Sequence, residues 1–201
     1  AWEMVAHNLA VKCGIRVPDA YTLRLNENGT TFLSKRFDRD HDRRKHFVSA
    51  MTMTGHTDGD DGDYLELCDI IEQVGDRPAE LLAELWTRIV FYICISNTDD
   101  HLRNHGFLLE NSGWTLSPAY DINPDIKKGE LSLTLGGLLC GSVKTAVKMS
   151  EYFRIDQTAA EKRAEMVMTT VRDNWKHEAK LLHISSHECS LMSEAFSRTY
   201  S

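Results

Sequence analysis

From Leu81 to Ile95 the chain reads LLAELWTRIVFYICI, an apolar run interrupted by Glu84 and Arg88. On a helix, Leu81, Leu82, Leu85, Trp86, Ile89, Val90, Ile93 and Cys94 cover an arc too wide for a surface position. The run is shorter than the roughly 18 apolar residues of a membrane span, and two charges break it. It therefore predicts a buried helix, with Pro78 in its opening turn, passing through the middle of a helical lobe. Other elements must wrap around that rod.

Helical periodicity recurs at both ends of the chain. Trp2, Val5, Ala6, Leu9, Ala10 and Cys13 share a face that Gly14 would end. Asp63 caps a helix with Leu67, Cys68, Ile71 and Val74 inward and Gly75 as its stop. Asp156 caps another with Ala160, Ala164, Val167, Met168, Val171 and Trp175 on one face, and Ser185 with Glu188 is a capping box ahead of Leu191, Met192, Ala195 and Phe196. Strand patterns are few. Tyr21–Leu25 and Thr31–Ser34 flank the turn Asn26–Gly29, and Phe107–Leu109 and Trp114–Leu116 flank Asn111-Ser112-Gly113. Leu131–Leu135 reads as a short strand before Gly136-Gly137, and Asn123–Gly129 as a loop. The fold class is mainly α with small β-hairpins, α+β.

Between Asp40 and Asp63 the sequence is charged, Gly-rich and weakly patterned. Its Asp58-Gly-Asp60-Asp61-Gly-Asp63 fails the calcium-loop template, because Gly62 takes the fifth ligand position and Asp69 the twelfth, so a solvated acidic loop is expected. A net charge of −7 with both signs interspersed argues against a nucleic acid or a membrane surface as the main partner. Cys13, Cys68, Cys94, Cys140 and Cys189 are odd in number, scattered and never in C-x-x-C pairs, which fits thiols in a reducing cytoplasm. The chain begins at Ala1-Trp2 inside a helical pattern, and residues upstream are expected.

The buried helix should deliver Asn97–Asn104 as an exposed loop on a rigid support. Asp99 and Asn104 stand in a D-x-x-x-x-N spacing, and the hairpin that follows returns the chain to Asp121. Kinases use this spacing for a catalytic Asp and a metal-binding Asn, with a second metal-binding Asp after a hairpin. Phosphoryl transfer asks the protein mainly to position reactants and neutralise charge. One carboxylate can orient a hydroxyl and take its proton, while another carboxylate and an amide oxygen are hard ligands suited to Mg²⁺.

Asn97-Thr98-Asp99-Asp100-His101 with Asn104, then Leu116-Ser117-Pro118-Ala119-Tyr120-Asp121, resemble the signature of HipA-type serine/threonine kinases, the toxins of bacterial toxin–antitoxin pairs. The likeness extends to Gly14–Pro18, Lys35–Arg39 and Leu131–Gly137. It implies a C-terminal kinase lobe at 40–201, with 1–39 as the remnant of the adenine-binding lobe and hinge. It further implies ATP and Mg²⁺ as cofactors, a protein substrate with a Ser or Thr acceptor, and a HipB-like, DNA-binding antitoxin as partner. By that resemblance Asp99 is catalytic, Asn104 and Asp121 hold the metal, and Lys35, Arg36 and Phe37 form the hinge against adenine. His101, Leu102, Arg103 and Tyr120 join Asn104 and Asp121 around the nucleotide. The resemblance also asks for a phosphate-covering Gly-rich loop and a strand lysine, neither of which can be assigned in this chain.

Each role has a plainer alternative. Asp99 can cap loop amides, and Phe37 and Tyr120 can be core. Asp100 is either a second carboxylate near the metal or a solvated residue. His101 can brace the loop, and Arg103 can be a surface residue. Two other functions stay open: a catalytically incomplete binding module that docks an antitoxin or partner chain, and a metallohydrolase using Asp99, Asp100, His101, His105 and Asp121.

Overall fold

The computed structural model describes residues 1–26, 29–126 and 129–197. In chain order its elements are α1 (Trp2–Lys12), β1 (Ala20–Asn26), β2 (Gly29–Ser34), β3 (Arg39–Asp40), β4 (Arg43–Arg44), β5 (Phe47–Ser49), α2 (Ala50–Thr54), α3 (Tyr64–Val74) and α4 (Pro78–Ile95). After the loop that follows α4 come β6 (Gly106–Glu110), β7 (Gly113–Leu116), β8 (Thr134–Leu135), β9 (Leu138–Leu139), α5 (Val143–Lys148), α6 (Gln157–Leu181) and α7 (Ser186–Met192). This is the α+β architecture expected. The centres of two sequence loops, Glu27-Asn28 and Lys127-Lys128, lie outside the described residues.

The apolar rod occupies the centre. From Leu85 to Ile95 every residue of α4 is buried, charged Arg88 included. α3, α5 and α6 pack against it, α1 lies on α6, and one continuous apolar core runs from Val5 through Ile89 to Phe196. No helix among the described residues is long and apolar enough to cross a membrane.

Helix ends follow their sequence signals. Asp63 caps α3 in a reciprocal box with Glu66, and its carboxylate also accepts from Thr134 Oγ1 (2.7 Å) and the Gly137 amide (2.8 Å). Gly75 stops α3 for a reason other than a left-handed turn: its φ is −68°, and a Cβ there would sit 2.4 Å from the Ile71 carbonyl oxygen. Ser185 and Glu188 make the expected box on α7. No residue of α7 is buried and Leu191 is exposed, whereas Ala195 and Phe196 just beyond it enter the core.

The region read as an unpatterned acidic loop carries more structure than its composition implies. β5 pairs antiparallel with β6, so the hairpin β6–β7 becomes a three-stranded sheet, with Phe47 opposite Leu108 and Val48 opposite Phe107. Three residues are too few to show alternation, so this strand had no periodic signal. The acids between Asp58 and Asp63 serve local ends. Asp58 pairs with Arg103, Asp60 accepts from the Thr57 amide (2.7 Å), and Asp63 caps α3.

Candidate functional site

Ser96 ends α4 in the left-handed region (φ 54°), and the chain enters the Asn97–Asn104 loop. This loop is less exposed than expected. Asn97, Thr98, Asp100, Leu102 and Asn104 are buried, while Asp99 and Arg103 face outward. The reason is that its polar groups hold neighbouring segments. Asn97 Oδ1 accepts from the Asn123 amide (2.9 Å), the Ser96 carbonyl from the Asp125 amide (3.0 Å), and the Thr98 carbonyl from Ser132 Oγ (2.7 Å).

The adjacent carboxylates have separate surroundings. Asp100 is 1 % exposed and accepts from Tyr64 Oη (2.5 Å) and His105 Nε2 (2.8 Å). It is therefore not solvated; through one carboxylate oxygen it locks the loop to α3 and to the start of β6. His105, itself fully buried, shares that carboxylate through Nε2, while its Nδ1 has no partner. No group of three or more His, Cys, Asp or Glu suited to a metal occurs among the described residues.

Asn104 donates its amide nitrogen to the Asp99 carbonyl (3.3 Å), which assigns its oxygen to the other side of the amide. Tyr120 Oη donates to the Arg103 carbonyl (2.6 Å). The residues before and after Asp121 are thus stitched to the loop that carries Asp99 and Asn104, Tyr120 through Arg103 and Asn123 nearby through Asn97. Asp121 is exposed, has φ 55°, and accepts from Asn123 Nδ2 (3.0 Å). A non-glycine residue in this region persists only where its surroundings hold it there.

Between β2 and Asp121 lies a small pocket of about 50 Å³, bounded by Glu3, His7, Phe32, Ser34, Tyr120 and Asp121. Burial pushes the Glu3 carboxyl up, and the Asp121 charge adds to the shift. Burial likewise raises the Tyr120 phenol, with Asp100 and Asp121 contributing. The region beside Asp121 is thus locally negative. An oxygen-only donor set in such a field suits a hard divalent cation. Buried side-chain atoms without a hydrogen-bond partner include Asn97 Nδ2, Thr98 Oγ1 and His101 Nδ1, all on this loop.

The remaining candidates are spread around this centre. Lys35 faces Asp19 across 3.6 Å, exposed. Arg36 grips Asp38 through two bonds (2.9 and 2.7 Å), and this hydrogen bonding draws the Asp38 carboxyl down to about 2. Phe37 packs against Phe47 (5.6 Å) and Tyr120 (5.4 Å), which joins the expected hinge to the Asp121 segment by ring contacts. Leu102 is core, His101 is partly buried, and Arg103 is paired with Asp58. The sequence reading passed over Asn97, Tyr64 and Ser132 as supports, since single polar residues carry no periodic signal. Arg88 had one: a charge in the middle of an apolar arc.

A family model described as the HipA-like C-terminal domain matches residues 1–175. The chain belongs to the HipA C-terminal family. Among solved structures, this HipA-like domain is similar to HipA of Shewanella oneidensis MR-1, described in complex with HipB and operator DNA. The TM-score is 0.76 and the identity 12 %, covering 98 % of this chain and 53 % of that one. It is also similar to CtkA, a proinflammatory kinase of Helicobacter pylori, with a TM-score of 0.60 and 14 % identity over 98 % of this chain and 85 % of that one. At these identities the likeness establishes the fold. The HipA-like domain spans about half the length of the Shewanella HipA chain. No curated protein sequence matches it.

Proposed function

We propose that this chain is the catalytic lobe of a HipA-type serine/threonine kinase that transfers the γ-phosphate of ATP to a protein hydroxyl. One observation carries the reading. Asn104 is bonded to the backbone of Asp99, and both neighbours of Asp121 that hydrogen-bond to the loop, Tyr120 and Asn123, tie it to that same segment.

The steps follow from this chain's residues. Asp99, outward-facing beside a buried support, takes the proton of the acceptor hydroxyl as its oxygen attacks the γ-phosphorus. The bond from that phosphorus to the bridging oxygen breaks, and ADP leaves with its electron pair. Asn104 through its amide oxygen and Asp121 through its carboxylate would hold Mg²⁺, which supplies charge neutralisation on the phosphates when bound. Phe37 and Tyr120 wall the nucleotide side, with Lys35 and Arg36 at the hinge and His101, Leu102 and Arg103 on the loop beneath. A HipB-like antitoxin as partner, a role as toxin and a cytoplasmic location belong to the same proposal. They are supported by the family and by the HipA–HipB pairing of the Shewanella structure.

A second reading is a kinase-like module that docks an antitoxin or partner chain without turning over ATP. Phosphate transfer from labelled ATP by the full-length protein separates the two. Asp99→Asn is expected to lower turnover about 10²- to 10⁴-fold, the range for losing a general base. Asp121→Asn should abolish Mg²⁺-dependent ATP binding. Transfer that survives Asp99→Asn removes the proposed base, and binding without transfer in the wild type favours the docking module.

A further inference from the structure

The central helix carries a charge that its packing does not require. Arg88 is 0 % exposed in the middle of α4. Its guanidinium donates to Glu84 Oε1 one turn back and to the Ser117 carbonyl (2.7 Å), while its Nε has no partner. Glu84 Oε2 accepts from Arg16 Nε (2.8 Å), Arg16 Nη2 donates to the Leu116 carbonyl (3.0 Å), and the Arg16 carbonyl accepts from the Ala119 amide (2.7 Å). Arg88, Glu84 and Arg16 therefore form one chain of charges that holds the backbone at Leu116 and Ser117, and the Arg16 backbone carbonyl holds Ala119. That stretch ends two residues before Asp121, whose left-handed conformation is held in place by its surroundings.

Taking a guanidinium out of water is costly, and apolar residues of similar volume commonly replace a buried ion pair without loss of stability. Stability thus gives little reason for Arg88. Position does, because carbonyls gripped from two elements have one place to be. We infer that Arg88, Glu84 and Arg16 are positioning residues that set the Asp121 carboxylate relative to Asn104. This inference rests on the reading of Asp121 as a magnesium ligand. None of the three residues touches substrate.

The test uses full-length protein with Arg16→Met, Arg16→Lys and the double variant Glu84→Leu/Arg88→Met. The side chain of Arg16 is 46 % exposed, so its single variants are expected to fold. Two quantities are read: amide exchange at Ser117 and Ala119, both hydrogen-bonded, without ligand, and the Mg²⁺ concentration for half-maximal ATP binding. Arg16→Met should speed exchange at both amides and raise the Mg²⁺ requirement about tenfold, within the 10- to 100-fold cost of losing an outer support of a metal ligand. Arg16→Lys, which keeps the charge, should recover part of both. Arg163 lines the same outer cleft but donates to the Ala83 carbonyl, so Arg163→Met should leave both unchanged. An Arg16→Met protein with wild-type Mg²⁺ dependence overturns the positioning role, provided that Asp121→Asn loses it. Wild-type protein with no Mg²⁺-dependent ATP binding defeats the ligand reading first, and this inference with it.

Discussion

Asp99 and Asp100 stand side by side in the sequence and differ wholly in what surrounds them. Asp100 lies in a sealed site with Tyr64 and His105, and Asp99 faces outward. The proposed base should therefore be removable without harm to the fold, and its neighbour should not. Asp100→Ala leaves a buried hydroxyl and a buried imidazole without their acceptor, a loss expected to cost about 3 kcal/mol. Asp99→Asn is expected to stay within about 0.5 kcal/mol of wild type, as for substitutions away from buried networks. Denaturant midpoints of the two variants check this, and equal midpoints would contradict the division of labour. A D-D pair in a loop is symmetric as text, so burial had to separate its members. The thiols illustrate the same point. Cys140 belongs to no helix yet is fully buried, and burial pushes its thiol up to about 12.

At the scale of elements, signals that depend on one residue or on a long period were legible. The cap at Asp63, the capping box at Ser185, Pro78 at the start of α4 and the β6–β7 hairpin all stand where the residues place them. β5 was not legible, because its order comes from its partner. Ser49 lies opposite Gly106, where a Cβ would meet the Phe47 ring at 2.2 and 2.6 Å. Gly106→Ala should displace Phe47, disturb its contacts with Phe37 and Tyr120, and destabilise the protein by about 1 to 3 kcal/mol, the range for overpacking. Thermal unfolding measures the loss. A variant as stable as wild type would show that Phe47 can move freely, and that the aromatic contact between hinge and site is loose.

Over the whole molecule, the Ala195-Phe196 segment joins α1 and α6 to the end of the helix that delivers the site. Phe196 stacks on Trp175 of α6 at 4.7 Å and meets Trp2 of α1 at 5.9 Å, while the neighbouring Ala195 carbonyl accepts from Ser96 Oγ at the end of α4. This segment lies beyond the residues matched by the family model, yet it is part of the core. Phe196→Ala is expected to cost about 3 to 5 kcal/mol, as for truncating a buried aromatic. Calorimetry would show it as a lower unfolding temperature, and a loss under about 1 kcal/mol would mean that the terminus is only laid on the surface. By itself the sequence determined the helical class, the buried rod, the hairpins and the spacing of Asp99, Asn104 and Asp121. Each of these depends on periodicity, on turn chemistry or on a motif contained in one stretch. Only the tertiary structure decided which acid of the pair is sealed, that β5 joins β6, and that Arg88 reaches the chain leading to Asp121. Burial and partnership are properties of segments brought together from far apart, and no local pattern records them.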